Sequence, residues 1–91
     1  MSRAFVNEDS SGSGRARRSF DLPARGDPGF EAAAAAALLE AAIAGDTESA
    51  EIATGFYWGE RSLRRHVERL LTRAREAGDE DTIRAAERFL R

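Results

Sequence analysis

The chain has 91 residues, of which 14 are arginine and none is lysine, and a formal net charge of −2. This length predicts one domain at most, and the slightly negative charge excludes a general nucleic-acid coat. There is no cysteine, which excludes disulfides and thiolate metal sites. Because no apolar run is long enough to cross a bilayer and no signal-peptide pattern is present, we expect a cytoplasmic protein without membrane contact.

Residues 1–26 have the composition of a flexible tail. The run from Ser10 to Gly14 consists only of serine and glycine, and a small basic cluster follows it at Arg15, Arg17 and Arg18. This composition predicts a disordered segment, with ordering on a partner as the alternative. Isolated apolar residues, among them Phe20 and Leu22, are expected to dock on the folded part or on a partner.

Residues 27–91 are predicted to form an all-α domain that begins with two helices. Asp27 followed by Pro28 is typical of a helix start, and the first helix is expected over 29–44. Asp46 is expected to cap a second helix over 47–54. The first helix is rich in alanine, which either lets a neighbouring helix approach closely or only reflects the helix propensity of alanine.

A long amphipathic helix is predicted from Gly59 to Gly78, where glycine favours the left-handed conformation of a helix end. Its apolar residues recur at helical spacing and define a face for the core: Leu63, Val67, Leu70, Leu71 and Ala74. A last helix is expected to begin at a cap, Asp79 or Asp81, and to reach Leu90.

The two halves of this domain resemble each other at an offset of 33 residues. Ala44-Gly45-Asp46 matches Ala77-Gly78-Asp79, and Phe56 falls opposite Phe89. Each half reads as a helix, a Gly-Asp turn and a shorter helix. The pattern predicts two αα-hairpins in a small four-helix arrangement, with chance similarity between alanine-rich helices as the alternative.

Three groups of residues are the candidate interaction sites, and the third of them is the basic cluster of the tail, Arg15, Arg17 and Arg18. The first is the aromatic turn, Phe56, Tyr57 and Trp58, in which two rings are expected to anchor the core while Tyr57 or Trp58 stays partly exposed as a contact for a partner. The second is the arginine ridge, Arg61, Arg65 and Arg69, at four-residue spacing on the long helix. The ridge either contacts phosphates, or is solvated or paired with the acidic residues between Asp27 and Glu60.

No catalytic, cofactor-binding or metal-binding residue is predicted. His66, the single histidine, has no carboxylate beside it at helical spacing, so neither a metal site nor a nucleophile–base pair can be assigned to it. Asp79, Glu80 and Asp81 cluster at a turn, but EF-hand spacing is missing, and helix capping is the preferred role.

The opening segment from Ser2 to Asp9, Ser-Arg-Ala-Phe-Val-Asn-Glu-Asp, resembles the N-terminal segment of short bacterial transcript-cleavage factors of the Gre family. The resemblance implies an association with RNA polymerase. Those factors carry an acidic signature at the tip of a coiled coil, to which Arg75–Asp81 is only loosely similar, and their long hairpin and β-domain have no room in this chain.

Taken together, these features predict a non-catalytic helical module for protein–protein interaction or regulation. Its partner is another protein or a second copy of the chain. The alternative is an accessory factor that binds RNA polymerase or nucleic acid through the arginine-rich helix.

Overall fold

The computed structural model describes residues 20–91, which form four α-helices and one short 3₁₀ turn. The helices are α1 (Phe30–Ala44), α2 (Thr47–Thr54), α3 (Arg64–Ala77) and α4 (Glu80–Leu90), and the 3₁₀ turn spans Arg61–Leu63. No strand occurs within these residues. The predicted all-α class and four-helix arrangement are confirmed.

The helices form two hairpins, α1 with α2 and α3 with α4, and their turns have the same geometry. Gly45 and Gly78 both take left-handed backbone angles, with φ of 79° and 71°. The N–H of Asp46 donates to the carbonyl of Ala41 at 2.8 Å, and the N–H of Asp79 donates to that of Ala74 at 2.9 Å. These bonds define a Schellman motif at the end of each first helix.

The helix starts after these turns also match. Asp46 accepts hydrogen bonds from the backbone N–H of Ser49 at 3.3 Å and from its hydroxyl at 2.7 Å. Asp79 accepts from the N–H of Thr82 at 3.2 Å and from its hydroxyl at 2.7 Å. Asp79, rather than Asp81, is therefore the cap of α4. The 33-residue similarity of the sequence thus has a structural counterpart in both turns.

Helix α1 is the centre of the fold and packs against the three other helices, whereas α2 contacts only α1 among them. The start of α1 lies beside the start of α3, where His66 Nε2 is 3.7 Å from Glu31 Oε1. Their C-terminal ends also meet, since Ile43 and Ala77 line one groove. Helices α1 and α3 therefore run in the same direction, and α4 runs opposite to both.

The core is small because alanine fills much of it. The largest fully buried apolar side chains are Phe89, Leu38, Leu63 and Val67. Of the fifteen buried apolar residues, eight are alanines. Within α1, Ala35 and Leu39 are buried as well as Ala34, Ala37, Leu38 and Ala41, because this helix is covered on two sides.

The start of the first helix differs from the prediction by one residue and does not use Asp27 as its cap, and the start of the long helix differs by two residues or more, each for a local reason. Helix α1 begins at Phe30, since the carboxylate of Asp27 accepts from the N–H of Gly29 at 2.7 Å and closes a separate turn before the helix. The long helix does not begin at Gly59, whose φ of 85° is not helical. It begins with the 3₁₀ turn, in which the N–H of Leu63 donates to the carbonyl of Glu60 at 3.1 Å.

Residues 20–26, which the composition assigned to the tail, lie against the helices. Phe20 and Leu22 are partly buried on the core, so the first of their two predicted roles applies. The remainder of the predicted tail, with the basic cluster at Arg15, Arg17 and Arg18, lies outside the described residues.

Candidate interaction surface

Two rings of the aromatic turn point inward. Trp58 packs on Phe89 with ring centroids 4.9 Å apart in an edge-to-face arrangement. Phe56 lies 6.2 Å from Phe30, centroid to centroid. Both side chains are half-buried against the core. The turn therefore packs against both the end of α4 and the start of α1. This agrees with the expectation that two of its rings anchor the core.

The backbone of the aromatic turn is held by side chains of α2. The N–H of Trp58 donates to Glu51 Oε2 at 2.8 Å, and the N–H of Phe56 donates to Thr54 Oγ1 at 3.1 Å. Thr54 is fully buried, and its hydroxyl donates in turn to the carbonyl of Ala50 at 2.7 Å. These bonds fix the direction in which each ring leaves the backbone.

Tyr57 is the ring that remains outside. Its side chain is 74% exposed, the largest value among the large apolar residues of the described chain. It lines a shallow hollow of about 350 Å³ together with Ile52, which is 52% exposed, and with Glu48 and Glu51. A tyrosine and an isoleucine thus form an exposed apolar patch with a charged rim, a composition typical of interfaces.

The arginine ridge begins directly after this turn. The N–H of Glu60 donates to the carbonyl of Tyr57 at 3.0 Å, and Arg61 follows as the first residue of the 3₁₀ turn. Arg61, Arg65 and Arg69 are all exposed, and none forms an ion pair within residues 20–91. At about 1.5–2.0 Å per residue the ridge extends about 12–14 Å, from Arg61 in the 3₁₀ turn to Arg69 on α3.

The acidic residues of α1 and α2 do not neutralise this ridge. Across the described chain, the one carboxylate contact between α1 and α3 is that of Glu31 with His66 at 3.7 Å, and it does not use an arginine. A second pair, Arg75 with Glu87 at 3.3 Å, joins α3 to α4. Of the two predicted environments of the ridge, pairing with the acidic helices inside the chain is not observed, and the ridge faces solvent.

Arg25 is a structural residue that the sequence analysis missed, since it lay within the predicted tail. Its guanidinium donates to the carbonyl of Thr54 at 3.2 Å, at the C-terminal end of α2. It also lies 5.5 Å from the ring centroid of Phe30. A cation suits a helix C-terminus, and α2 has no basic residue in its own last turn. The lack of a basic residue in the last turn of α2 is the only feature of the sequence that indicates a role for a distant cation such as Arg25.

The acidic cluster at the start of α4 acts in capping. The bonds from Thr82 lower the pKa of Asp79 below its ordinary value, the hydroxyl contributing most and the backbone N–H next. Within residues 20–91 no three histidine or carboxylate side chains come together as metal ligands. None of the helices in that range has the length and apolar content needed to cross a bilayer. The cytoplasmic location stays a prediction.

Comparison with protein-family models found no match, and comparisons with curated proteins and with solved structures found none either. The Gre-like segment from Ser2 to Asp9 lies outside the described residues, so that resemblance also stays a prediction.

Proposed function

We propose that the chain is a non-catalytic protein-interaction module that binds an acidic surface of a partner protein through Tyr57 and the arginine ridge. The observation that carries the proposal is the 74% exposure of Tyr57 between two rings that are anchored in the core. A ring held on a fixed turn loses little conformational freedom when it binds. Tyrosine and arginine are also among the residues that contribute most to interface affinity.

The charge of the ridge indicates the chemistry of the partner. Three exposed guanidinium groups without an ion pair in the described chain provide a positive stripe that begins four residues after Tyr57 in the chain, whereas the hollow at Tyr57 and Ile52 is bordered by Glu48 and Glu51. Such a stripe favours a surface of opposite charge, and it raises the association rate more than the final affinity. Binding is therefore expected to weaken as the salt concentration rises.

Site-specific photocrosslinking in the cell of origin tests the proposal. A photoreactive phenylalanine analogue replaces Tyr57 in one variant and Glu80 in a control variant. Glu80 is also exposed but lies at the opposite end of α4 from Phe89, about 14 Å along the helix. We expect one dominant protein adduct from position 57 and none of that mass from position 80. Equal adduct patterns from both positions would contradict the proposal.

An RNA polymerase or nucleic-acid accessory role is the second candidate. The exposed, unpaired ridge favours it, because three arginines along about 12–14 Å are suited to contacts with a phosphate backbone. Binding of labelled RNA and DNA, measured over a range of salt, tests it. Phosphate contacts from all three arginines give a log–log slope of roughly −2 to −3. No binding at low salt, or a slope near zero, would eliminate this candidate.

A further inference from the structure

The groove between α1 and α3 is separate from the surface around Tyr57. It has a volume of about 360 Å³. Its walls are apolar and come from both helices, with Ala36, Leu39 and Ile43 on α1 and Leu70, Ala74 and Ala77 on α3. Ile43 is 47% exposed, although it is one of the few large aliphatic side chains of α1.

The outer face of α1 carries fewer charges than the outer faces of α3 and α4. Its exposed positions are Glu31, Ala32, Ala36, Glu40, Ile43 and Ala44, so four of the six are apolar. The exposed positions of α3 and α4 are instead mostly arginine and glutamate. Arginine and glutamate are nearly as good helix formers as alanine, so helix propensity alone does not explain the difference. A helix that is apolar on nearly all sides is typical of one that is covered.

Three charged residues border the groove. Glu40 stands on the α1 side, Arg73 on the α3 side, and Asp79 lies at the start of α4, where it accepts the capping bonds from Thr82. Glu40 and Arg73 take part in no ion pair within residues 20–91, although they border the same groove. An acid and a base on opposite sides of an apolar strip are complementary to a second copy of the same surface when a two-fold axis places each charge on its opposite.

We propose that the α1–α3 groove binds a second copy of this chain in an isologous dimer. The α1 helices of the two copies pack antiparallel, and Ile43 of each copy enters the groove of the other. Glu40 of each copy lies against the other copy's Arg73. The small alanine side chains let the two helix backbones approach closely. The alanine-rich core also makes association favourable, because a domain of this size buries limited apolar area by itself.

Sedimentation equilibrium of the full chain tests this interface, with Ile43→Asp compared with Ile52→Asp. Both isoleucines are about half exposed, but Ile52 lies on α2 beside Tyr57, outside the groove. We expect a wild-type dimer, a dissociation constant raised roughly tenfold or more by Ile43→Asp, and no such change in Ile52→Asp. Circular dichroism confirms that each variant is folded.

A charge swap keeps the test decisive if Ile43→Asp does not fold. Glu40→Arg and Arg73→Glu each place like charges across the two-fold axis and should weaken the dimer, whereas the double variant should restore it. Monomeric wild-type protein at all concentrations would overturn the proposal and leave the groove to a different partner. A dimer whose dissociation constant is unchanged by these substitutions but which is lost in Tyr57→Ala would also overturn the proposal. That result would place self-association at the surface around Tyr57. Because the two surfaces are separate, either proposal can fail alone.

Discussion

Replacing Phe89 by alanine is the substitution that most directly tests how the aromatic turn is held. Phe89 is 1% exposed and packs edge-to-face on Trp58 at 4.9 Å. Burial of a phenylalanine side chain removes about 150–250 Å² of surface from water. At about 25 cal/mol per Å², this burial stabilises the folded state by about 4–6 kcal/mol. Alanine retains a small part of this, so we expect Phe89→Ala to lower the free energy of unfolding by about 3–5 kcal/mol.

That loss is large relative to the whole domain. About 70 ordered residues give a free energy of unfolding of roughly 4–10 kcal/mol, so the variant should lose a third of its stability or more. Urea unfolding followed by circular dichroism measures the change, and Trp58 fluorescence shows whether the indole becomes exposed. Tyr57→Ala, in the same turn but at an exposed position, is the control and should change stability by less than about 0.5 kcal/mol. A loss below about 1 kcal/mol in Phe89→Ala, or an equal loss in Tyr57→Ala, would refute the packing described here.

Four further substitutions test the helix ends. Gly45→Ala and Gly55→Ala place a side chain at nearly equal φ, 79° and 80°, and each should cost about 1 kcal/mol. Only Gly55→Ala also displaces Arg25, because the Nη1 atom of Arg25 lies 2.8 Å from the added Cβ. Thermal melts of Gly55→Ala should therefore show an additional loss of stability. That additional loss should be absent when Gly55→Ala is made in an Arg25→Ala background. Asp46→Ala removes the cap of α2 and should cost about 1 kcal/mol, and a urea titration unchanged from wild type would contradict that role. The pKa of Asp79 is lower in the folded protein than its ordinary value of 3.8. Its carboxylate therefore stabilises the fold at pH values above 3.8, and this stabilisation is lost as the pH falls through the lower, folded-state pKa. Thermal melts of Asp79→Asn over that pH range should therefore depend less on pH than those of the wild type.

The helices and their turns were predictable because their signals are local. Glycine at a left-handed helix end followed by a capping aspartate is visible in the sequence at both Gly45-Asp46 and Gly78-Asp79. The starts of α1 and α3 were less predictable, because at Asp27 and Glu60 a short turn competes with the helix for the same backbone groups.

The parts of the surface that depend on tertiary structure were not predictable. Arg25 lies 29 residues from Thr54 in the chain, and its bond to that carbonyl requires the segment at 20–26 to fold back on α2. The contact between Glu31 and His66 and the groove between Glu40 and Arg73 both require α1 and α3 to run in the same direction. Helical spacing alone contains no information about that direction. Arg61, Arg65 and Arg69 are each exposed, and their joint role as one ridge stays a prediction.

The most direct test of the proposed function asks whether Tyr57 and the arginine ridge act as one surface. Crosslinking from position 57 is repeated with Arg61, Arg65 and Arg69 replaced by glutamate, and in a control with Arg84, Arg88 and Arg91 replaced instead. Both sets are exposed and reverse three charges, so nonspecific effects of charge are matched. We expect the yield of the dominant protein adduct to fall roughly tenfold or more in the ridge variant and to change little in the control. Equal yields in the two variants would contradict the account.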